Sequence, residues 1–264
     1  FLSSQWNQRT DGGGQAVFNY YTPPGPDGNP DNYVSGCVST ALAQLLNYYE
    51  WPITGVGSHS YTWDNGIDPA RTLSADFGAT TYPWADALDV YADTASSTLA
   101  QRQAAGLVTY HAGVALDMNY RPIAYGGSAA SVFDIPVALN RHFRMSGDWI
   151  ANPAESDFYT RLYDNMVAHR PAVLGLSGPL YGHAVVADGI RHDSGGDDGK
   201  TRYYHLNMGW GGMDDAWYDL PDVTDDFNVV DEAALDIAPT PYLEDPGTTV
   251  TQPTFPVSWT VSPN

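Results

Sequence analysis

The chain has 264 residues, 31 acids against 11 Lys and Arg, and a formal net charge of −20. So acidic a surface repels nucleic acid and anionic membrane, and neither is expected as a partner. No apolar run approaches the roughly 18–20 residues that a membrane-spanning helix needs, the length suits one large domain or two intimate subdomains, and a single cysteine, Cys37, excludes an internal disulfide.

In chain order, the first 35 residues read as mostly irregular, broken by Gly12-Gly13-Gly14 and Pro23-Pro24-Gly25-Pro26. Val38, Ala41, Leu42, Leu45, Leu46 and Tyr49 then recur at the spacing of an amphipathic helix that begins close to Cys37. Trp51-Pro52 stops it. A Gly/Ser/Tyr-rich stretch to about Tyr82 predicts loops with short strands. Helical patterns follow at Ala85–Tyr91, Leu99–Gly113, Ser131–Phe143 and Glu155–Ala168. From Pro171 the texture changes to strands, at Ala172–Leu176, His183–Asp188, Thr201–Asn207 and Ala216–Leu220. Helices first and antiparallel strands second predict an α+β fold, a helical half facing a sheet half. Residues 1–239 read as the main domain, and 240–264 as a Pro/Thr-rich C-terminal extension.

The acidity has two readings. A solvated, self-repelling surface is one. Structural calcium is the other, because Asp193, Asp197 and Asp198 crowd one Gly-rich loop and Asp222, Asp225 and Asp226 another. Neither loop matches the twelve-residue EF-hand pattern, so no metal and no cofactor are expected.

Cys37 stands where a reactive thiol would be placed. A sulfur at a helix N-terminus faces unpaired N–H groups and the positive end of the helix dipole, and both favour thiolate. A cysteine nucleophile needs a base and a group to aim that base. Of seven histidines, His183 opens an alternating strand beside Gly182, which leaves room for a bound backbone to pass. Asn207, in His205-Leu206-Asn207-Met208-Gly209-Trp210, is the candidate orienting group, with Trp210 to keep water from the contact. The separation of 146 residues between Cys37 and His183 falls in the range of papain-type enzymes, as does the order Cys, His, Asn. The alternatives are an inert core cysteine in a carbohydrate-binding or adhesive protein, and an acyltransferase using the same three residues.

Four blocks carry a resemblance: Gly36–Gln44 with Tyr48 and Trp51-Pro52; Leu116–Tyr120 with Gly127-Ser128-Ala129; Gly182–Gly189; and Tyr204–Gly212. In these the chain resembles peptidase family C10, the streptopain-type cysteine peptidases, from about Gln5 to Pro239. The resemblance implies a papain-like fold and a bacterial endopeptidase secreted as a zymogen, its pro-segment outside this chain. It also implies protein or peptide substrates and a monomer. Cys37 then matches the nucleophile, His183 the base, and Asn207 the residue beside which that base is oriented, by side chain or backbone. Gly127 and Ser128 match the loop lining the substrate cleft, and Gly182 the glycine beside the histidine. Two positions depart from the pattern. Met208 replaces a Trp, so shielding rests on Trp210. Asp31 stands where the family has a Gln that donates to the oxyanion, which leaves Asn32 or a backbone amide as the second donor.

Overall fold

A computed structural model describes residues 1–25, 32–91, 97–151, 157–179, 181–193, 202–243 and 250–251. The helices are α1 (Cys37–Tyr49), α2 (Leu99–Ala115), α3 (Ile135–His142) and α4 (Phe158–Val167). A hairpin of β1 (Ser58–Trp63) and β2 (Arg71–Asp76) lies between α1 and α2. The remaining strands are β3 (Met145–Ala151), β4 (Ala172–Ser177), β5 (Gly182–His192), β6 (Arg202–Asn207), β7 (Ala216–Tyr218), β8 (Val229–Pro239), β9 (Tyr242–Leu243) and β10 (Val250–Thr251). Strands β3 to β8 form one sheet, in the order β3-β8-β4-β5-β6-β7, all neighbours antiparallel.

Two apolar clusters follow from this arrangement. One gathers α1, α2, α3 and the hairpin; the other lies under the sheet with α4. Helix α1 runs between them and packs on both α2 and β5. Its periodicity predicts one buried face, yet Ser39, Thr40, Gln44 and Asn47 are buried along with the apolar positions. The polar face is covered because the N-terminal segment and the end of β6 close over it. Gln44 Oε1 accepts from Ser4 Oγ (3.1 Å) and Trp6 N (3.1 Å), and Gln44 Nε2 donates to Asn207 Oδ1 (3.0 Å). A buried amide so satisfied costs little and pins three distant segments together.

One expected helix is corrected, and two strands are added. Ala85–Tyr91 holds only a three-residue 3-10 turn, Trp84–Asp86. Tertiary contacts pull that segment open: Gln5 pairs with Val90, and Trp6 Nε1 donates to Leu88 O at 2.8 Å. Strands β3 and β8 were not anticipated, so the sheet half draws one strand from among the helices. In β8 the consecutive residues Ala233, Ala234 and Leu235 are all buried, between the half-buried Glu232 and Asp236, so the strand lacks the strict alternation that marks a half-exposed strand in a sequence.

The boundary expected at 239 falls at the end of β8, and most of 240–264 lies outside the described residues. So do Asp197 and Asp198. Asp222, Asp225 and Asp226 lie on the loop before β8, and among the described residues no group of three or more His, Cys, Asp or Glu is gathered to hold a metal.

Candidate active site

Gly36 sets the start of α1. Its φ of +91° is a backbone conformation that glycine adopts freely, and a Cβ there would stand 2.8 Å from Met118 Sδ and 3.0 Å from the Ser128 carbonyl. No side chain caps the helix. Instead Ser39 and Thr40 turn back, Ser39 Oγ donating to Ser35 O (2.6 Å) and Thr40 Oγ1 to Gly36 O (3.0 Å). Cys37, the first helical residue, therefore sits against uncapped N–H groups. Burial pushes its thiol up, while backbone N–H groups of Ala184, Val38 and Cys37 itself pull it down. The expected preference for thiolate is thus outweighed here by desolvation.

Cys37 lines a cleft of about 940 Å³ that His183, Gly182, Gly127, Ser128 and Trp210 also line. The structure brings together the expected nucleophile, base and cleft residues from α1, β5 and two loops. His183 is buried, its Nε2 2.8 Å from the Met208 carbonyl oxygen. A carbonyl only accepts, so Nε2 carries the proton and the neutral ring keeps Nδ1 free as an acceptor. Trp210 stacks on the imidazole at 4.7 Å between centroids, and Phe227 lies at 5.5 Å. Burial lowers the His183 pKa to about 4, the Met208 bond opposing it. Trp210 thus lies on the ring that Met208 O holds, rather than over a contact between His183 and Asn207.

The side chain of Asn207 does not hold His183. Its Oδ1 accepts from Gln44 Nε2 and from Gly209 N (both 3.0 Å), and its Nδ2 donates to Ser4 O at 2.8 Å. The next residue supplies the contact through its backbone, and Asp215 Oδ1 in turn accepts from Met208 N at 2.7 Å. Asn207 is spent on tying β6 to α1, which leaves the neighbouring carbonyl aimed at the ring.

Asn32 is also corrected. Its Nδ2 donates to Asn19 O (2.9 Å) and Tyr20 O (3.0 Å), and it does not line the cleft. Asp31 lies outside the described residues. Two amide residues line the cleft from a segment that read as irregular, Asn7 and Gln8, the Asn7 side chain bonding within its own loop to Thr10 O (3.1 Å) and Arg9 N (2.7 Å). Gln8 O accepts from Ser35 N at 2.9 Å, which seats that loop beside the start of α1. No local signal could have found them, because their place depends on a contact 27 residues away.

Ser128 is buried, its Oγ donating to Val34 O at 2.6 Å, so it shapes the cleft wall rather than offering a hydroxyl. Gly127 beside it has a φ of +76°. Gly182 is exposed. A Cβ there would meet nothing nearer than Leu176 O at 3.6 Å, so the space its hydrogen leaves belongs to the cleft.

The comparisons with known proteins agree with this geometry. The model of the peptidase C10 family matches residues 6–218. A streptopain of Streptococcus pyogenes serotype M28 is 27% identical over 191 residues, 70% of this chain and 45% of that protein. The thiol protease/hemagglutinin PrtT of Porphyromonas gingivalis is 26% identical over 200 residues, 74% of this chain and 21% of that protein. The chain therefore spans less than half the length of these curated relatives. The solved structure of active wild-type interpain A, a cysteine protease of Prevotella intermedia, superposes with a TM-score of 0.72 at 28% identity, covering 89% of this chain and 92% of that one. A cysteine at a helix start and a carbonyl-held histidine facing one cleft, in an α+β frame that superposes on a papain-like protease, leave one assignment: this chain belongs to the peptidase C10 family.

Proposed function

We propose that the protein is a bacterial cysteine endopeptidase, secreted and monomeric, that hydrolyses peptide bonds through a thioester on Cys37. The observation that carries this reading is that Cys37, at an uncapped helix N-terminus, lines the same cleft as His183, whose free Nδ1 belongs to a ring clamped by Met208 O and Trp210. His183 Nδ1 takes the thiol proton, and the Cys37 sulfur attacks the scissile carbonyl carbon. The oxyanion is held by the Cys37 N–H and by an amide of the Asn7-Gln8 loop. Loss of one such donor costs about 3–4 kcal/mol of transition-state stabilisation. His183 then protonates the leaving amine and activates the water that cleaves the thioester. Each partner alone is biased toward its neutral form by burial, so the ion pair is worth forming only when proton transfer places both charges together.

The test is an epoxide-type cysteine-peptidase inactivator followed by peptide mapping. We expect one adduct, on Cys37, with complete loss of casein hydrolysis, and no hydrolysis by Cys37→Ala. Casein cleavage by Cys37→Ala above a trace, or an adduct elsewhere that abolishes cleavage, would sink the assignment.

A further inference from the structure

The cleft is not electrically uniform along its length. One end is built by the N-terminal loop and the Trp210 loop, joined where Gly211 N donates to Trp6 O at 3.0 Å. That end carries Arg9. The other end is built by β4 and β8, where Asp231 and Glu232 line the cleft beside Leu176. In the β4–β8 register Glu232 lies opposite Gly175, and a Cβ on Gly175 would stand 2.8 Å from Glu232 Cγ. The side chain of Glu232 thus lies across the glycine, on the wall of the cleft. Its Oε2 accepts from Trp149 Nε1 at 2.7 Å. That donor is neutral, so it orients the carboxylate without offsetting its charge. Among the described residues no Arg or His lies within ion-pair distance of either Asp231 or Glu232. Trp149 itself is 37% exposed, with Phe133 edge-on to it at 4.8 Å.

We infer that Glu232 is a specificity-determining residue that draws a lysine or arginine side chain of the substrate into the β4–β8 end of the cleft. The inference rests on the peptidase reading and names its substrate class. The half-exposed indole of Trp149, hydrogen-bonded to Glu232, offers apolar surface to the methylene stem of such a side chain, and the fixed carboxylate takes its charged head. A charge-assisted hydrogen bond in a partly desolvated place discriminates far better than the diffuse attraction of an acidic surface, which salt screens. Asp231 adds to the local potential from the exposed face of the same strand.

The experiment is a positional-scanning library of fluorogenic peptides, cleaved by the wild type and by Glu232→Gln, Asp231→Asn and Asp164→Asn. Glu232→Gln keeps the shape and the acceptor for Trp149. Asp164→Asn, on the exposed face of α4, removes an acid that does not line the cleft. We expect the wild type to select Lys and Arg over Leu at one substrate position. Glu232→Gln should lower kcat/KM for those basic peptides on the order of 10- to 100-fold, and leave the Leu peptide unchanged. Asp231→Asn should give a smaller loss of the same kind, and Asp164→Asn none. In the wild type, added sodium chloride should shrink the preference for the basic peptide without slowing the Leu peptide. Cleavage with no basic preference, a preference that survives Glu232→Gln, or an equal loss in Asp164→Asn would overturn the inference while leaving the peptidase reading intact. Failure of the wild type to cleave any member would remove both.

Discussion

The two walls of the cleft are built in opposite ways. On the Cys37 wall almost everything is local. Gly36 turns the chain, the helix starts at the next residue, and the hydroxyls of Ser39 and Thr40 bond back to carbonyls no more than four residues away. On the His183 wall almost nothing is. The ring is held by a carbonyl 25 residues on, covered by Trp210 and touched by Phe227 from the loop before β8. Met208 depends on Asp215, and Asn207 before it on Gln44 and Ser4. A nucleophile placed by a helix start stays in position as long as that helix does. A base placed by strand pairing and loop packing is exposed to damage from many distant residues, so perturbations should register on the histidine wall first.

The largest expected effect tests the base itself. His183→Ala should lower kcat/KM on the order of 10³–10⁴-fold, because among the described residues no other histidine lines the cleft. His205→Ala, which removes a ring paired with Asp188 on the same sheet (Nδ1 to Oδ1, 2.6 Å), should cost less than about tenfold. Steady-state kinetics on one peptide decide it: a fully active His183→Ala, or equal losses in both variants, would discard the assignment of the base.

Acid sharpens the comparison by acting on the base and on buried histidines away from the cleft. Burial lowers the pKa of His183 to about 4, and that of His111 on α2 to about 4, against an unfolded value of roughly 6.5. Between these values the unfolded chain binds the protons and the folded one does not. Stability is therefore fully present above pH 6.5 and falls as pH drops toward 4, by about 3 kcal/mol for each ring. His142, lowered by burial as well, adds in the same direction. Urea midpoints at pH 7, 5.5 and 4.5 should decline steadily, and His111→Gln should flatten the decline by its share. An unchanged slope in that variant would show that His111 titrates normally in the folded protein.

A smaller effect separates scaffolding from chemistry. Asn207→Ala leaves the Gln44 amide, the Ser4 carbonyl and the Gly209 N–H without their partner in a buried place. We expect a stability loss of about 2 kcal/mol, with kcat reduced less than His183→Ala reduces it. Denaturation and kinetics measured on the same preparation check this. A loss of turnover equal to that of His183→Ala at unchanged stability would return Asn207 to a direct role on the imidazole.

Much of this protein was legible in the residues. The α1 pattern, the α+β class and the strands β4, β5, β6 and β7 follow from periodicity and turn residues, which act within a few positions. Cys37, His183 and Trp210 were legible for the same reason: helix starts, strand starts and Gly-rich turns are local, and a reactive side chain placed on one is visible there. What only the tertiary structure decided was partnership. Asn32 bonds to Asn19 and Tyr20, Asn207 to Gln44, and the carbonyl that holds His183 belongs to Met208, whose identity as a residue is irrelevant to that bond. Asn7 and Gln8 reach the cleft because their loop bonds to Ser35, and β8 becomes a strand because it is paired between β3 and β4, far from it in sequence. Side-chain type and local spacing settle which residues can do chemistry. Hydrogen bonds between segments far apart in sequence settle which of them meet, because a backbone donor or acceptor carries no signature in the sequence.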